Sequence, residues 1–166
     1  MNKYSGDRIK SLVVYYSLTG RTKLVPQVIA GALDATLVEI KEKKPRKLGP
    51  LLYLIGGFGA MTNRGTQIRP VDVDVKQYER IFIGSPIWAS RPVPAINSFI
   101  YQTNFEGRHV VPFFIMGGDN SEKALANITA KIEKSQGKVV SSFAIKSYGL
   151  SDEEIMASAQ EAARNY

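Results

Sequence analysis

Five short apolar runs alternate with helical patterns along this chain, and that alternation restricts the fold more than any other feature. The runs are residues 11–16, 36–40, 81–84, 110–116 and 139–145. Between them, apolar side chains recur at helical spacing. Leu24, Val25, Val28, Ile29, Ala32 and Leu33 mark a helix over 22–33, and residues 94–101 a second. Leu125, Ile128 and Ile132 form the stripe of a third over 121–136, and a last helix spans 152–164. Strands alternating with helices imply right-handed crossovers and a parallel sheet covered on both faces. Ile81-Phe82-Ile83-Gly84 is apolar throughout, as a central strand buried on two sides must be. Five strands in 166 residues predict an α/β three-layer sandwich on a doubly wound five-stranded parallel sheet, since a (β/α)8 barrel needs more chain.

Local chemistry supports these boundaries. Pro26 falls in the first turn or so of its helix, where a missing N–H costs little. Ser121 is placed to cap the third helix. Ser151 with Glu154 makes a capping box for the last. Pro112 is a flaw in its strand, because proline cannot donate to a ladder. One stretch, about 43–74, breaks the rhythm and reads as an irregular insertion in a single domain. Within it Leu51, Leu52, Leu54, Ile55 and Phe58 predict a short helix at about 49–61. It would serve either as an apolar lip over a site or as cover for one sheet face.

Composition narrows the class. The chain has no cysteine, which excludes disulfides, thiolate nucleophiles and iron–sulfur ligation and fits a cytoplasmic setting. No apolar run approaches the roughly 20 residues of a membrane span, and the first residues lack a signal peptide's apolar stretch. Net charge is +7, and ten of the 22 Lys/Arg lie within residues 1–50 against four Asp/Glu. Much of that excess is the run Lys41, Lys43, Lys44, Arg46 and Lys47. It reads as a solvated loop, or as a docking patch for an acidic partner, a phosphorylated ligand or a membrane surface. No recognition motif accompanies the charge, so nucleic acid is not an expected partner. His109 has no nucleophile beside it, and no cluster has metal-ligand spacing.

In a doubly wound sheet, ligands bind outside the carboxyl ends of the strands. Three such loops are specialised here. Ser17-Leu18-Thr19-Gly20-Arg21-Thr22 sets hydroxyls and a glycine at a strand-to-helix turn, a site suited to phosphate or to ordinary helix capping. It is neither a Walker loop nor a dinucleotide Gly-x-Gly-x-x-Gly. Gly84-Ser85-Pro86-Ile87-Trp88-Ala89-Ser90-Arg91-Pro92 carries the only tryptophan, either a core residue or a flat face for an aromatic ligand. Gly117-Gly118-Asp119-Asn120 either lets backbone approach a ligand closely and adds one acidic side chain, or is a tight turn followed by an N-cap.

Together these loops resemble the flavodoxin family. Ser17-Leu18-Thr19-Gly20-Arg21-Thr22 matches that family's phosphate-loop pattern, Gly84–Trp88 its second flavin loop, and Gly117-Gly118-Asp119 falls where its third is expected. The resemblance implies a flavodoxin-like fold and a tightly but non-covalently held FMN. Ser17, Thr19, Gly20 and Thr22 would hold the phosphate, with Arg21 an added cation, and Trp88 would flank the ring. Ser85, Pro86, Ile87 and Ala89, with Gly117, Gly118 and Asp119, would bring backbone to the flavin nitrogens. The expected function is an FMN-dependent redox protein exchanging electrons with a partner protein. The alternative is an NAD(P)H-dependent FMN reductase of quinones or similar small acceptors. Electron-carrier flavodoxins are typically acidic and this chain is basic, which sets it apart from that subgroup.

Overall fold

Leu12, Val13 and Val14 of strand β1 (Ser11–Tyr15) are all fully buried, because the strand runs through the middle of a sheet with helices on both sides. The computed structural model describes residues 9–18, 20–44, 64–118 and 120–166. β1 pairs in parallel with β2 (Thr36–Glu39) on one side and β3 (Arg80–Trp88) on the other. A two-residue strand, β4 (Arg91–Pro92), folds back antiparallel on β3. β5 (His109–Met116) pairs in parallel with β3, and β6 (Lys138–Val139) and β7 (Phe143–Lys146) pair with β5 in turn. The order is β2-β1-β3-β5, then β6 and β7 along one edge. The chain steps outward from β1 to β2 and returns past β1 to β3. The order therefore reverses between β1 and β3, and their carboxyl ends flank the crevice of a topological switch point.

The helices are α1 (Leu24–Leu33), α2 (Pro94–Gln102), α3 (Glu122–Lys134) and α4 (Asp152–Ala163). Strand side chains alternate between faces. Val13, Phe82, Val111 and Phe113 meet Val25 and Ile29 of α1 and Ile155 and Ala159 of α4. Leu12, Val14, Ile81, Ile83 and Phe114 meet Ile96 and Ile100 of α2 and Ile128 and Ile132 of α3. The Ser151–Glu154 capping box forms, with Ser151 N–H donating to Glu154 Oε2 at 2.7 Å and Glu154 N–H to Ser151 Oγ at 3.2 Å. Ser121 does not cap α3; the Asn120 carboxamide accepts from the Glu122 N–H at 3.1 Å instead.

The predicted fifth strand, 139–145, is broken in two, and Pro112 supplies the reason. Val140 N–H donates to Val110 O at 3.2 Å and Ser147 N–H to Met116 O at 2.9 Å. In a parallel ladder, alternate residues turn their backbone groups to the same edge. Pro112 thus faces this edge too, and has no N–H to give. The ladder lapses beside it, between β6 and β7.

The ends of the predicted insertion are clamped together. Lys43 N–H donates to Gln67 O and Arg69 N–H to Lys41 O, both at 2.8 Å. Residues 45–63, with the expected helix at 49–61, lie outside the described residues. The return limb docks on α2, where Thr66 N–H donates to Ser98 Oγ at 2.7 Å. Contact is so close that a Cβ on Gly65 would collide with that hydroxyl. Asn97 Nδ2 donates to Arg64 O at 3.4 Å, while its Oδ1 accepts from Lys131 Nζ at 2.8 Å. Lys131 also donates to Asn127 Oδ1 at 2.6 Å. Lys131 is only 8% exposed. Burial, and then the nearby Arg91 charge, bring its amine from 10.5 down to about 8.

This amine sets an unusual pH dependence. Between about pH 8 and 10.5 the unfolded chain holds the Lys131 proton and the folded chain has released it, so stability rises with pH across that window. The gain is of the order of 2–3 kcal/mol for a shift of this size. Urea unfolding of the wild type and Lys131→Met across pH 7.5–10.5 should show the difference between them changing by that amount. A pH-independent difference would mean the amine is unperturbed.

Candidate functional site

The crevice between the carboxyl ends of β1 and β3 receives the first two sequence-predicted loops. Tyr16 N–H reaches across to Gly84 O at 3.2 Å and ties the strand ends together. Ser17 and Thr22 are half-buried and Gly20 is exposed; Thr19 lies outside the described residues. Gly20 takes a left-handed φ of 85°, where a side chain would be strained, and its N–H donates to Ser17 Oγ at 3.1 Å. Accepting this bond leaves the Ser17 O–H free to donate. Arg21–Lys23 form one 3₁₀ turn and α1 follows directly. Neither helix start has a side-chain cap or an acidic residue in its first turn. The start of this ten-residue helix is thus uncapped by a side chain and carries no carboxylate in its own first turn, which suits an anion.

The second loop is more ordered than its sequence suggests. Residues 85–88 continue β3 rather than leaving it, and Ala89–Ser90 make a tight hairpin turn into β4, with Trp88 paired to Arg91. Both turn residues have positive φ, 48° and 58°. A type I′ two-residue hairpin requires this conformation at both positions, and it is normally supplied by Asn-Gly. Ser85 is fully buried. Its Oγ accepts from Val93 N–H at 3.2 Å and donates to Pro86 O at 2.8 Å. Its hydroxyl therefore organises the hairpin from within, while Pro86, Ile87 and Trp88 are half-buried and Ala89 is exposed. The Trp88 ring stands edge-on to Tyr16 at 6.4 Å. Tyr16 O–H donates to buried Glu42 at 3.2 Å, which fixes the ring against which Trp88 rests.

Gly117 and Gly118 follow β5 and are exposed; Asp119 lies outside the described residues. Neither glycine has a positive φ. An added Cβ at Gly118 meets no atom within 4 Å, and at Gly117 only Tyr148 Cβ at 3.8 Å. Among the described residues, packing does not demand glycine there, so the pair forms an open floor.

The basic run reaches the crevice at one residue. Arg46 and Lys47 lie outside the described residues, and Lys43 and Lys44 are exposed. Lys41, however, lines a cavity of about 210 Å³ together with Ser17, Glu39, Glu42 and Arg69. The basic run thus begins beside the phosphate-type loop, because the 41–43/67–69 ladder turns it that way. Glu39 pairs with Lys23 at 3.2 Å and Lys41 at 3.9 Å. The Tyr15 phenol is held above its ordinary value by burial and then by Glu39. Among the described residues, no group of His, Cys, Asp and Glu could hold a metal ion, and no helix is long and apolar enough to cross a membrane. His109 opens β5 as an exposed residue, away from the crevice.

Fold and loops together define a doubly wound α/β protein with a crevice at its switch point. The flavodoxin family profile matches residues 10–150, and the chain belongs to that family. Among solved structures it is similar to the Lactobacillus acidophilus NCFM flavoprotein in complex with FMN, at 24% identity and TM-score 0.72 over 82% of this chain and 93% of that one. A protein of Bacteroides uniformis ATCC 8492 is similar at 25% identity and TM-score 0.74, over 89% and 96%. Oxidised Flavodoxin 2 from Bacillus cereus is similar at 16% identity and TM-score 0.61, over 93% and 95%. No curated protein sequence matches the chain.

The hairpin turn carries strain that can be measured. A non-glycine residue in the left-handed region costs roughly 1–2 kcal/mol. Ala89→Asn with Ser90→Gly should raise the stability of the ligand-free protein by about 1 kcal/mol in chemical denaturation. A destabilised double variant would show that these two side chains are held by contacts that outweigh the strain.

Proposed function

We propose that this flavodoxin-family protein binds FMN at the switch point and passes electrons to or from a partner protein. The observation that carries the reading is the uncapped start of α1, opening beside Trp88 and the open Gly117–Gly118 floor. FMN has a dianionic phosphate and a flat, largely apolar ring, and the two halves of the crevice suit those two halves. Bound FMN supplies one- and two-electron redox chemistry. The chain's own part is to bind, orient and shield it. Ser17, Thr19, Gly20 and Thr22, with backbone N–H groups of the turn, take the phosphate, and Arg21 adds charge. Trp88 covers ring surface and keeps water from it. Backbone of Pro86, Ile87 and Ala89 on one side, and of Gly117, Gly118 and Asp119 on the other, sets how readily the ring nitrogens gain a proton. Ser85 acts indirectly, by holding the hairpin.

Phosphate placement is tested by comparing ligands. Thr19→Ala with Thr22→Ala should weaken FMN by tenfold or more and leave riboflavin nearly unchanged, since only FMN carries the phosphate. Equal losses in equilibrium titrations would put the phosphate elsewhere. Steady-state NADPH oxidation by the FMN-loaded protein with a quinone acceptor separates a carrier from a reductase: rapid turnover would establish the reductase.

The basic run bears on the partner. If it steers an acidic partner, the association rate should fall steeply with salt, since exposed charges are screened beyond about 8 Å at physiological ionic strength. Lys43→Glu, Lys44→Glu and Lys47→Glu together, sparing Lys41 beside the loop, should slow association and flatten the salt dependence. Stopped-flow flavin reduction by an acidic carrier protein, across a salt series, reads this directly. Identical slopes would make the run a solvated loop.

A further inference from the structure

The end of the sheet opposite the switch point carries a cavity that the flavin reading leaves without a task. β3 and β5 begin there side by side, with Arg80 in register with His109. On the other edge of β5, Val110 pairs with Val139 and Phe113 with Phe143. Two residues of β5, Val111 and Pro112, therefore lie opposite three, residues 140–142. The edge strand bulges where the ladder lapses, and a bulge re-aims the side chains it carries. Ser141 and Ser142 have no ladder partner on β5 and are exposed. Between the bulge, the start of β3 and the residues after α4 lies a cavity of about 500 Å³, within the roughly 300–1,000 Å³ range of small-molecule sites.

Its walls are aromatic and its side-chain charge is of one sign. The Tyr166 ring meets Phe82 edge-on at 5.1 Å and Phe143 at 6.3 Å, and Phe143 stacks on Phe113 at 5.2 Å. Tyr166 O–H donates to Ser141 Oγ at 2.8 Å, which leaves the Ser141 proton free to donate elsewhere. Arg80 grips the same tyrosine: its Nη1 donates to Tyr166 O at 2.8 Å, and its guanidinium stands 5.5 Å from the ring centroid. A guanidinium stays charged and presents its N–H donors in a planar fork. Exposed His109 and both bulge serines line the same space. Among the described residues, no Asp or Glu side chain does. A second cavity shares Arg80 and Tyr166, but Asp34 lines it, so the unopposed positive lining belongs to the first.

We propose that this cavity is a second ligand site, for a small planar ring that bears a carboxylate. The aromatic surfaces of Tyr166 and Phe143 take the ring. Arg80 takes the carboxylate through charge-assisted hydrogen bonds, with the bulge serines and His109 as further donors. A carboxylate is preferred to a neutral carboxamide of the same shape, since no acidic side chain lining the cavity competes for the guanidinium. The bulge gains a use in this way: it turns two hydroxyls into a space that a continuous edge strand would close. The site stands apart from the FMN reading, because it lies at the amino ends of the strands and fills whether or not a flavin occupies the carboxyl ends.

Titrations of the whole chain followed by amide NMR test this, with benzoate, benzamide and acetate as probes, each with and without excess FMN. Benzoate should shift the amides of residues 138–143 and 165–166. It should bind about tenfold more tightly than benzamide, the least that one hydrogen bond to a charged group supplies. Acetate, which lacks the ring, should be as weak as benzamide or weaker, and FMN should change none of this. Arg80→Gln should erase the preference for benzoate. Ser142→Phe fills the mouth from an exposed position without touching Arg80, and should abolish binding of both ring probes. Lys123→Gln removes an equal charge from an exposed position at the start of α3 and should behave as wild type. No shift at the bulge, equal affinity for benzoate and either other probe, or a benzoate preference that survives Arg80→Gln would each overturn the proposal. Displacement of benzoate by FMN would do so too, by placing the ring in the switch-point crevice. No arm depends on bound flavin, so failure here leaves the FMN reading standing.

Discussion

Burial of β1, β3 and β5 on both faces is the constraint on which the rest of the structure depends. Fully buried side chains on alternate faces, Leu12 and Val14 against Val13, Ile81 and Ile83 against Phe82, require two helical layers. Helices that cover both faces require crossovers in both directions, and crossovers in both directions require the order to reverse somewhere. Here it reverses between β1 and β3. The same hydrophobic requirement that stabilises the domain therefore opens the crevice, and the loops that follow β1 and β3 become its walls.

A second, polar device stabilises one flank of that architecture. Lys131, Asn127 and Asn97 form a hydrogen-bonded string between α3 and α2, and Asn97 continues it to Arg64 O. An ammonium under so little solvent is costly unless hydrogen-bonded, and two carboxamide oxygens meet that need while allowing it to titrate early. The string fixes which way the Asn97 amide faces. That in turn fixes the return limb 64–66, which ends in the ladder with 41–43 beside the phosphate-type loop. A helix–helix contact is in this way coupled to the position of Lys41 and Arg69 at the crevice.

The candidate site is uneven in how it is held. The β1 loop relies on one left-handed glycine and one serine hydroxyl. The β3 hairpin is stiffer, with Ser85 buried beneath it, Tyr16 against Trp88, and two strained residues at its tip. Strain of this kind persists only where surrounding structure over-determines it, and it gathers at the tip of the hairpin that carries Trp88. The glycine floor, by contrast, has little around it among the described residues, where an added Cβ would meet only Tyr148 Cβ, at Gly117.

Much of this was legible from residue pattern alone, because period and punctuation are local properties. The strand–helix alternation, the α3 stripe of Leu125, Ile128 and Ile132, the Ser151–Glu154 box and the hydroxyl-rich turn after β1 all follow from neighbours within a few positions, and the alternation implies the doubly wound sheet, while the family rests on the resemblance of the three loops. What only the tertiary structure decided depends on residues distant in sequence. Residues 85–88 stay in the sheet because β4 pairs back on them. The edge strand divides because Pro112, about thirty residues earlier, has no N–H to offer. Lys131 loses its proton early because α2 and the hairpin bury it beside Arg91. Tyr148 stands next to Gly117 because β7 pairs with β5, a register that no local pattern around residue 148 encodes.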